Sequence, residues 1–174
     1  MIQRPVIYKH QGKVDEKRVV SVLSPQSITF RHELVPGAVL ADELVMACQR
    51  RGVNSAAISL VDGYFEGFEY CLASQNPDRK NKITYMPPIK ETGIAMLITA
   101  NATVGIGEDG EPLVHCHGLV TSNAGVPVGG HIFANKIKIC RQPVMAFFTG
   151  FTGIGFTQQY DFEVTQAIFK PVRY

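Results

Sequence analysis

Apolar and polar residues alternate along this chain with two different periods. Leu40, Leu44, Ala47 and Cys48 recur at steps of three and four, which defines one face of a helix. Pro36-Gly37 precedes the pattern, Asp42 and Glu43 lie toward its start, and Arg50 and Arg51 lie in its last turn. That order of charges suits the helix dipole, and Gly52 is placed to stop the helix. The spacing predicts one principal helix over about 37–51. Before it, residues 27–35 read as a strand, with Ile28 and Phe30 alternating with polar neighbours. After Gly52 the pattern is β almost throughout. Strands are expected at 55–61, 64–73, 82–85, 94–104, 113–121, 126–140, 144–150 and 162–169. The stretch 75–92 carries Asn76-Pro77-Asp78 and Pro87-Pro88 and reads as a loop. One helix against many short strands predicts an α+β domain with a mainly antiparallel sheet.

Residues 1–26 read as an N-terminal extension of mixed charge with one short apolar run, Val19 to Leu23. Residues 27–174 then form a single domain ending in a C-terminal β extension. Composition agrees with a packed core, since 45% of the 174 residues are hydrophobic and 18% are charged. A formal net charge of +2 gives no bulk support for tight phosphate binding. No apolar run approaches the roughly 18 residues that a spanning helix needs, and no apolar signal core follows Met1. The expectation is a cytoplasmic protein, not a membrane one, whose Cys48, Cys71, Cys116 and Cys140 stay reduced. Asn101-Ala102-Thr103 matches a glycosylation acceptor only by chance on that reading.

The chemistry is concentrated in histidines. His115-Cys116-His117 lies in a strand-like run, so both imidazoles project from one face and Cys116 from the other. Ser122-Asn123-Ala124-Gly125-Val126 suits a three-residue hairpin loop with Gly125 left-handed. If Ser122 pairs with Val126, Thr121 pairs with Pro127 and His117 faces His131. Opposed residues have Cβ atoms about 4.5–5.5 Å apart, and His115 is one same-face step along the strand. A bulge at Gly129-Gly130 would shift this count by one. Three neutral imidazoles on one patch match the ligand set of an open divalent metal site, with zinc foremost and nickel, iron or copper also acceptable. The competing reading is a set of polar core or interface histidines bonded to backbone or to each other.

Other candidates carry less. Cys116, facing away, reads as a packed apolar residue. Asp62, Glu66 and Glu69 could supply a general base or a carboxylate behind the metal ligands, or be solvated acids. His10 and His32 have no partner signal. Gly105 to Gly110 spells G-x-G-x-x-G but precedes a strand, so it reads as a turn without the helix N-terminus that dinucleotide binding uses. Arg79, Lys80 and Lys82 are the densest basic group and read as a solvated loop, with phosphate contact the minority option.

Leu113-Val114-His115-Cys116-His117-Gly118, then Gly125 and Val128-Gly129-Gly130-His131, resembles the signature of the plants-and-prokaryotes-conserved (PPC) domain. Arg31 to Gly52, Ala56 to Phe65 and Glu91 to Val104 are similar, in order, to that family's helix and neighbouring strands, so the resemblance spans roughly 27–150. It implies an α+β fold with one helix, assembly as a homotrimer, and association with DNA-binding proteins. The chain departs from the plant members in lacking an R-G-R-P AT-hook core; Arg4-Pro5 is only a fragment. Two functions stay open. One is a trimeric DNA-associated or regulatory module carrying the three-histidine site. The other is a metal-dependent enzyme or small-molecule binder using the same site.

Overall fold

The structure, a computed structural model, describes residues 12–75 and 83–174. In chain order it consists of β1 (Gln26–Leu34), α1 (Leu40–Gln49), β2 (Ser55–Val61), β3 (Tyr64–Glu66), β4 (Glu69–Cys71), β5 (Ala73–Gln75), β6 (Ile83–Tyr85) and β7 (Ile89–Lys90). Then follow β8 (Ile94–Ile106), β9 (Pro112–Thr121), β10 (Pro127–Ile132), a 3-10 turn (Ala134–Lys136), β11 (Lys138–Cys140), β12 (Val144–Thr152), β13 (Ile154–Asp161) and β14 (Gln166–Arg173). The main sheet runs β1-β12-β2-β8-β9-β10-β4-β7, with β3, β11 and the β13–β14 hairpin attached at its sides. These pairings are antiparallel except for one parallel bridge, Thr157 to Ile106, which ties β13 to β8. The α+β architecture with a mostly antiparallel sheet and one α-helix follows from the alternation seen in the sequence.

The helix buries the expected face: Leu40, Leu44, Ala47 and Cys48 are at most 2% exposed. It packs across β1, β9 and the 3-10 turn. It begins at Leu40 and not at Gly37, because the backbone of 37–40 is bonded to another strand. The Gly37 and Leu40 amides donate to the Ile139 and Ile137 carbonyls, and the Ile139 amide donates to the Ala38 carbonyl. Gly52 (φ +69°) follows the helix, its amide bonded to the Gln49 carbonyl. The inward residues of the sheet, among them Ile58, Ala100, Cys116, Val120, Ile132 and Phe148, complete one core with the helix. Phe148 stacks on Phe30 at 4.6 Å between ring centroids.

Three stretches depart from the expected ones. The run 64–73 divides into β3, β4 and the start of β5, because Gly67 turns left-handed at φ +71°. The run 126–140 divides at Phe133 and the 3-10 turn. The strand expected at 82–85 is present as β6 (Ile83–Tyr85), paired with β5. The largest difference is at the C-terminus. Residues 162–165, expected to open a strand, are a turn, and β13 before them was not expected. The Asp161 carboxylate accepts the Glu163 and Val164 amides at 2.9 and 3.0 Å and closes that turn without glycine or proline. Residues 12–25 form no strand; they run beside the hairpin, where Arg18 pairs with Glu163 at 2.6 Å.

Candidate metal centre

The β9–β10 hairpin positions the site. Its turn has the Ser122 amide donating to the Val126 carbonyl and the Gly125 amide to the Ser122 carbonyl, each at 2.8 Å, with Gly125 at φ +76°. The register is Thr121 to Pro127 and, without a slip, His117 to His131. Gly129-Gly130 stays in register; the irregularity of the sheet lies instead in β8, between Leu97 and Thr99. Cys116 falls on the opposite face, fully buried in the core against Ile132.

The three imidazoles converge. Ring centroids are 4.9 Å apart for His115–His117 and His115–His131, and 5.4 Å for His117–His131. The Nε2 atoms of His115 and His117 are 3.0 Å apart, a separation at which one nitrogen donates and the other accepts. One donor nitrogen from each ring lies within 4.8 Å of the other two. Ligands at the 2.0–2.1 Å zinc–nitrogen distance of a tetrahedral site stand roughly 3.3 Å apart, so the first pair is already near that spacing and the third nitrogen lies within 4.8 Å of both.

Electrostatics favours neutral rings at His115 and His131. Burial, then the charges that His131 and His117 would carry, holds His115 down at about 4. Burial and His117 likewise lower His131. Neutral imidazole is the ligating form. His131 Nδ1 is buried without a hydrogen-bond partner, a state that costs on the order of 1–3 kcal/mol for a polar group. A ligand that engages this nitrogen offsets that cost. The residues present therefore fit a divalent ion held by three histidines.

Among the described residues, no carboxylate joins this group of donor atoms. Asp62 sits at φ 58° in the turn between β2 and β3. Glu66 lies opposite Lys138 on β11. Glu69 pairs with Lys136 at 2.6 Å; the Lys136 ammonium lies 5.0 Å from the Phe133 ring centroid, and Phe133 meets His131 edge-on at 5.5 Å. Glu69 thus touches the cluster only through two intervening side chains. The G-x-G-x-x-G segment is the β8–β9 turn, with the Gly107 amide bonded to the Glu111 carbonyl. His32 lies on β1 opposite Ala146 with a buried, unpartnered Nε2. Arg79, Lys80, Lys82, His10 and Arg4-Pro5 lie outside the described residues.

Several neighbours were not singled out from the sequence. Tyr85 lies 5.2 Å from His131, and Phe169 lies 6.5 Å from His115. Cys71 is buried in β4 directly opposite His131. All three reach the site through long-range pairing, and nothing in local spacing could have found them. The cysteines are free, and burial pushes Cys116 up to about 12, which leaves its thiol inert.

Hairpin, helix and histidines together define a family. The chain matches the Plants and Prokaryotes Conserved domain over residues 24–151 and belongs to that family. It is similar in fold to a plant- and prokaryote-conserved protein from Pyrococcus horikoshii, with a TM-score of 0.63 at 19% identity over 90% of this chain and 100% of that one. A protein from Archaeoglobus fulgidus, described as metal-containing, gives 0.65 at 16% identity over 88% and 99%. A protein from Ralstonia eutropha, described as a candidate DNA-binding protein, gives 0.61 at 16% identity over 80% and 89%. No curated protein is significantly similar to the chain.

Proposed function

We propose that this protein is an oligomeric metal-binding module whose centre is His115, His117 and His131, and that the centre serves a small-molecule ligand or substrate. The observation that carries the reading is the convergence of three imidazole nitrogens within 4.8 Å on one paired hairpin. The chemistry of the donors supports zinc foremost among divalent ions, because neutral nitrogen ligands and a three-ligand open set suit it. Once bound, such an ion supplies Lewis acidity to an oxygen-bearing ligand. The residues keep specific tasks: His115 and His131 present neutral nitrogens, and Phe133 and Tyr85 pack against His131 and fix its ring. Asp62, Glu66 and Glu69 are the acids proposed for proton transfer or orientation, with Glu69 linked to His131 through Lys136 and Phe133. The metal-containing description of the Archaeoglobus fulgidus protein supports the same assignment. On this reading residues 1–26 are an extension of a single domain, 27–174, working as a cytoplasmic homotrimer.

The test is elemental analysis of protein purified without chelators. About one divalent ion per chain is expected, falling below a few tenths in His131→Ala. Wild-type protein with less than a few tenths of an ion sinks the reading.

A DNA-associated role is the second reading, favoured by the relatives described as candidate DNA-binding proteins. Phosphate contacts make retention salt-sensitive. A mobility-shift assay at low and moderate salt decides it; no salt-sensitive shift at micromolar protein removes DNA as a partner.

A further inference from the structure

The C-terminal hairpin, β13 and β14, lies after the family match ends at residue 151. It folds back against the strand pair that carries His115. Phe156 donates its amide to the Ser55 hydroxyl at 3.0 Å, and Thr157 bridges Ile106. Gly105 is the point of closest approach: a Cβ there would stand 2.5 Å from the Phe156 carbonyl oxygen and 2.8 Å from Phe169. Asp161 and Lys170 pair at 2.8 Å within the hairpin. The hairpin is therefore anchored at several points along its length.

Between hairpin and histidines lies a cavity of about 430 Å³. His115 and His131 form one side of it. Phe169, Ile168, Leu113 and Tyr85 give it an aromatic and aliphatic wall. Its other polar side chains are neutral: Thr103, Gln158 and Gln166. Among the described residues, no Asp, Glu, Lys or Arg lines it. A charge placed against this wall would lose water without gaining a partner, so the histidine end is the place for a charged group. Three neutral imidazoles around a divalent ion leave two uncompensated positive charges, which select an anionic head group.

We propose that the β13–β14 hairpin makes this cavity a binding pocket for a small aromatic molecule with one anionic oxygen head group. The head faces His115, His131 and the ion they hold with His117, and the ring packs between Phe169, Ile168 and Tyr85. The amides of Gln158 and Gln166 orient polar substituents on the ring. This inference rests on the metal reading above and adds the chemical class of the ligand.

The experiment uses the full chain loaded with cobalt(II), whose visible absorption reports the ion and its ligands. Benzohydroxamate and acetohydroxamate are titrated in turn, since they share a head group and differ in the ring. The expected result is a change in the cobalt spectrum with both, and at least tenfold tighter binding of benzohydroxamate. In Ala167→Trp, which fills the cavity from the hairpin, the cobalt spectrum is retained and the tenfold preference is lost. In Phe169→Ala the preference falls while cobalt still binds. Equal affinities for the two probes, or a preference unchanged in Ala167→Trp, overturn the pocket and leave the metal centre standing. Failure of the wild-type chain to take up cobalt overturns both.

Discussion

His115 is pulled well below the ordinary histidine value of 6.5, to about 4, first by burial and then by its two neighbouring imidazoles. In the unfolded chain the same ring takes up its proton near 6.5. The unfolded state thus binds more protons between these two values, and the linkage has a definite sign. Stability from this residue is intact above about pH 6.5 and is lost as the pH falls toward 4. Denaturant midpoints of chelator-treated protein at pH 7.5, 5.5 and 4.5 are expected to fall in that order. His115→Gln should flatten the decline, and an unchanged slope in that variant would discount the residue. Of the site, the three histidines and their common face were legible in the sequence, since alternation along a strand is a local rule. Tyr85 and Phe169 were not, because each touches the cluster by folding from a different strand.

The β9–β10 hairpin shows how an element carries a site. Its register depends on the Gly125 turn, which is local, and on close backbone contact at Gly129, which is not. A Cβ at Gly129 would stand 2.0 Å from the Gly118 carbonyl oxygen, so any side chain there forces the two strands apart. Gly129→Ala is expected to lower stability by about 1–3 kcal/mol, the usual range for overpacking. It should also lower metal occupancy, because His131 is two residues away on the displaced strand. Urea melts and metal content measured together check this; loss of stability with full occupancy would separate the hairpin's packing from its role at the site. The C-terminal hairpin shows the opposite case. Its turn at 162–165 is closed by the Asp161 carboxylate, and Thr165 sits at φ 57° with no glycine to announce it. A pattern reader places a strand through such a turn because Phe162, Val164 and Ile168 continue to look apolar.

At the scale of the whole molecule, the outer face of the sheet retains exposed apolar residues: Phe147 at 47%, Ile98 at 41% and Leu119 at 39%. Helix α1 covers the inner face, and among the described residues no element covers these side chains. Association of chains would bury them, and the homotrimer proposed above gives them a partner. Light scattering coupled to size exclusion is expected to give three times the 19.1 kDa chain mass. Phe147→Asp should shift the mass downward while leaving the metal content per chain in place. A monomeric wild-type protein would remove the trimer. Among the described residues no helix is long and apolar enough to cross a membrane.

The sequence by itself determined the period of each element, the side of the strand on which His115 and His117 stand, and the count that brings His131 opposite His117. These follow from rules acting over a few residues: alternation, helical spacing and a glycine turn. Tertiary structure decided where the helix starts, since its first amides answer to Ile137 and Ile139. It also decided what surrounds the imidazoles, and that the last strands fold back as a wall beside them. Those outcomes depend on pairing between segments distant in the chain. Local pattern constrains such pairing only where a short turn fixes the register, as it does between His117 and His131.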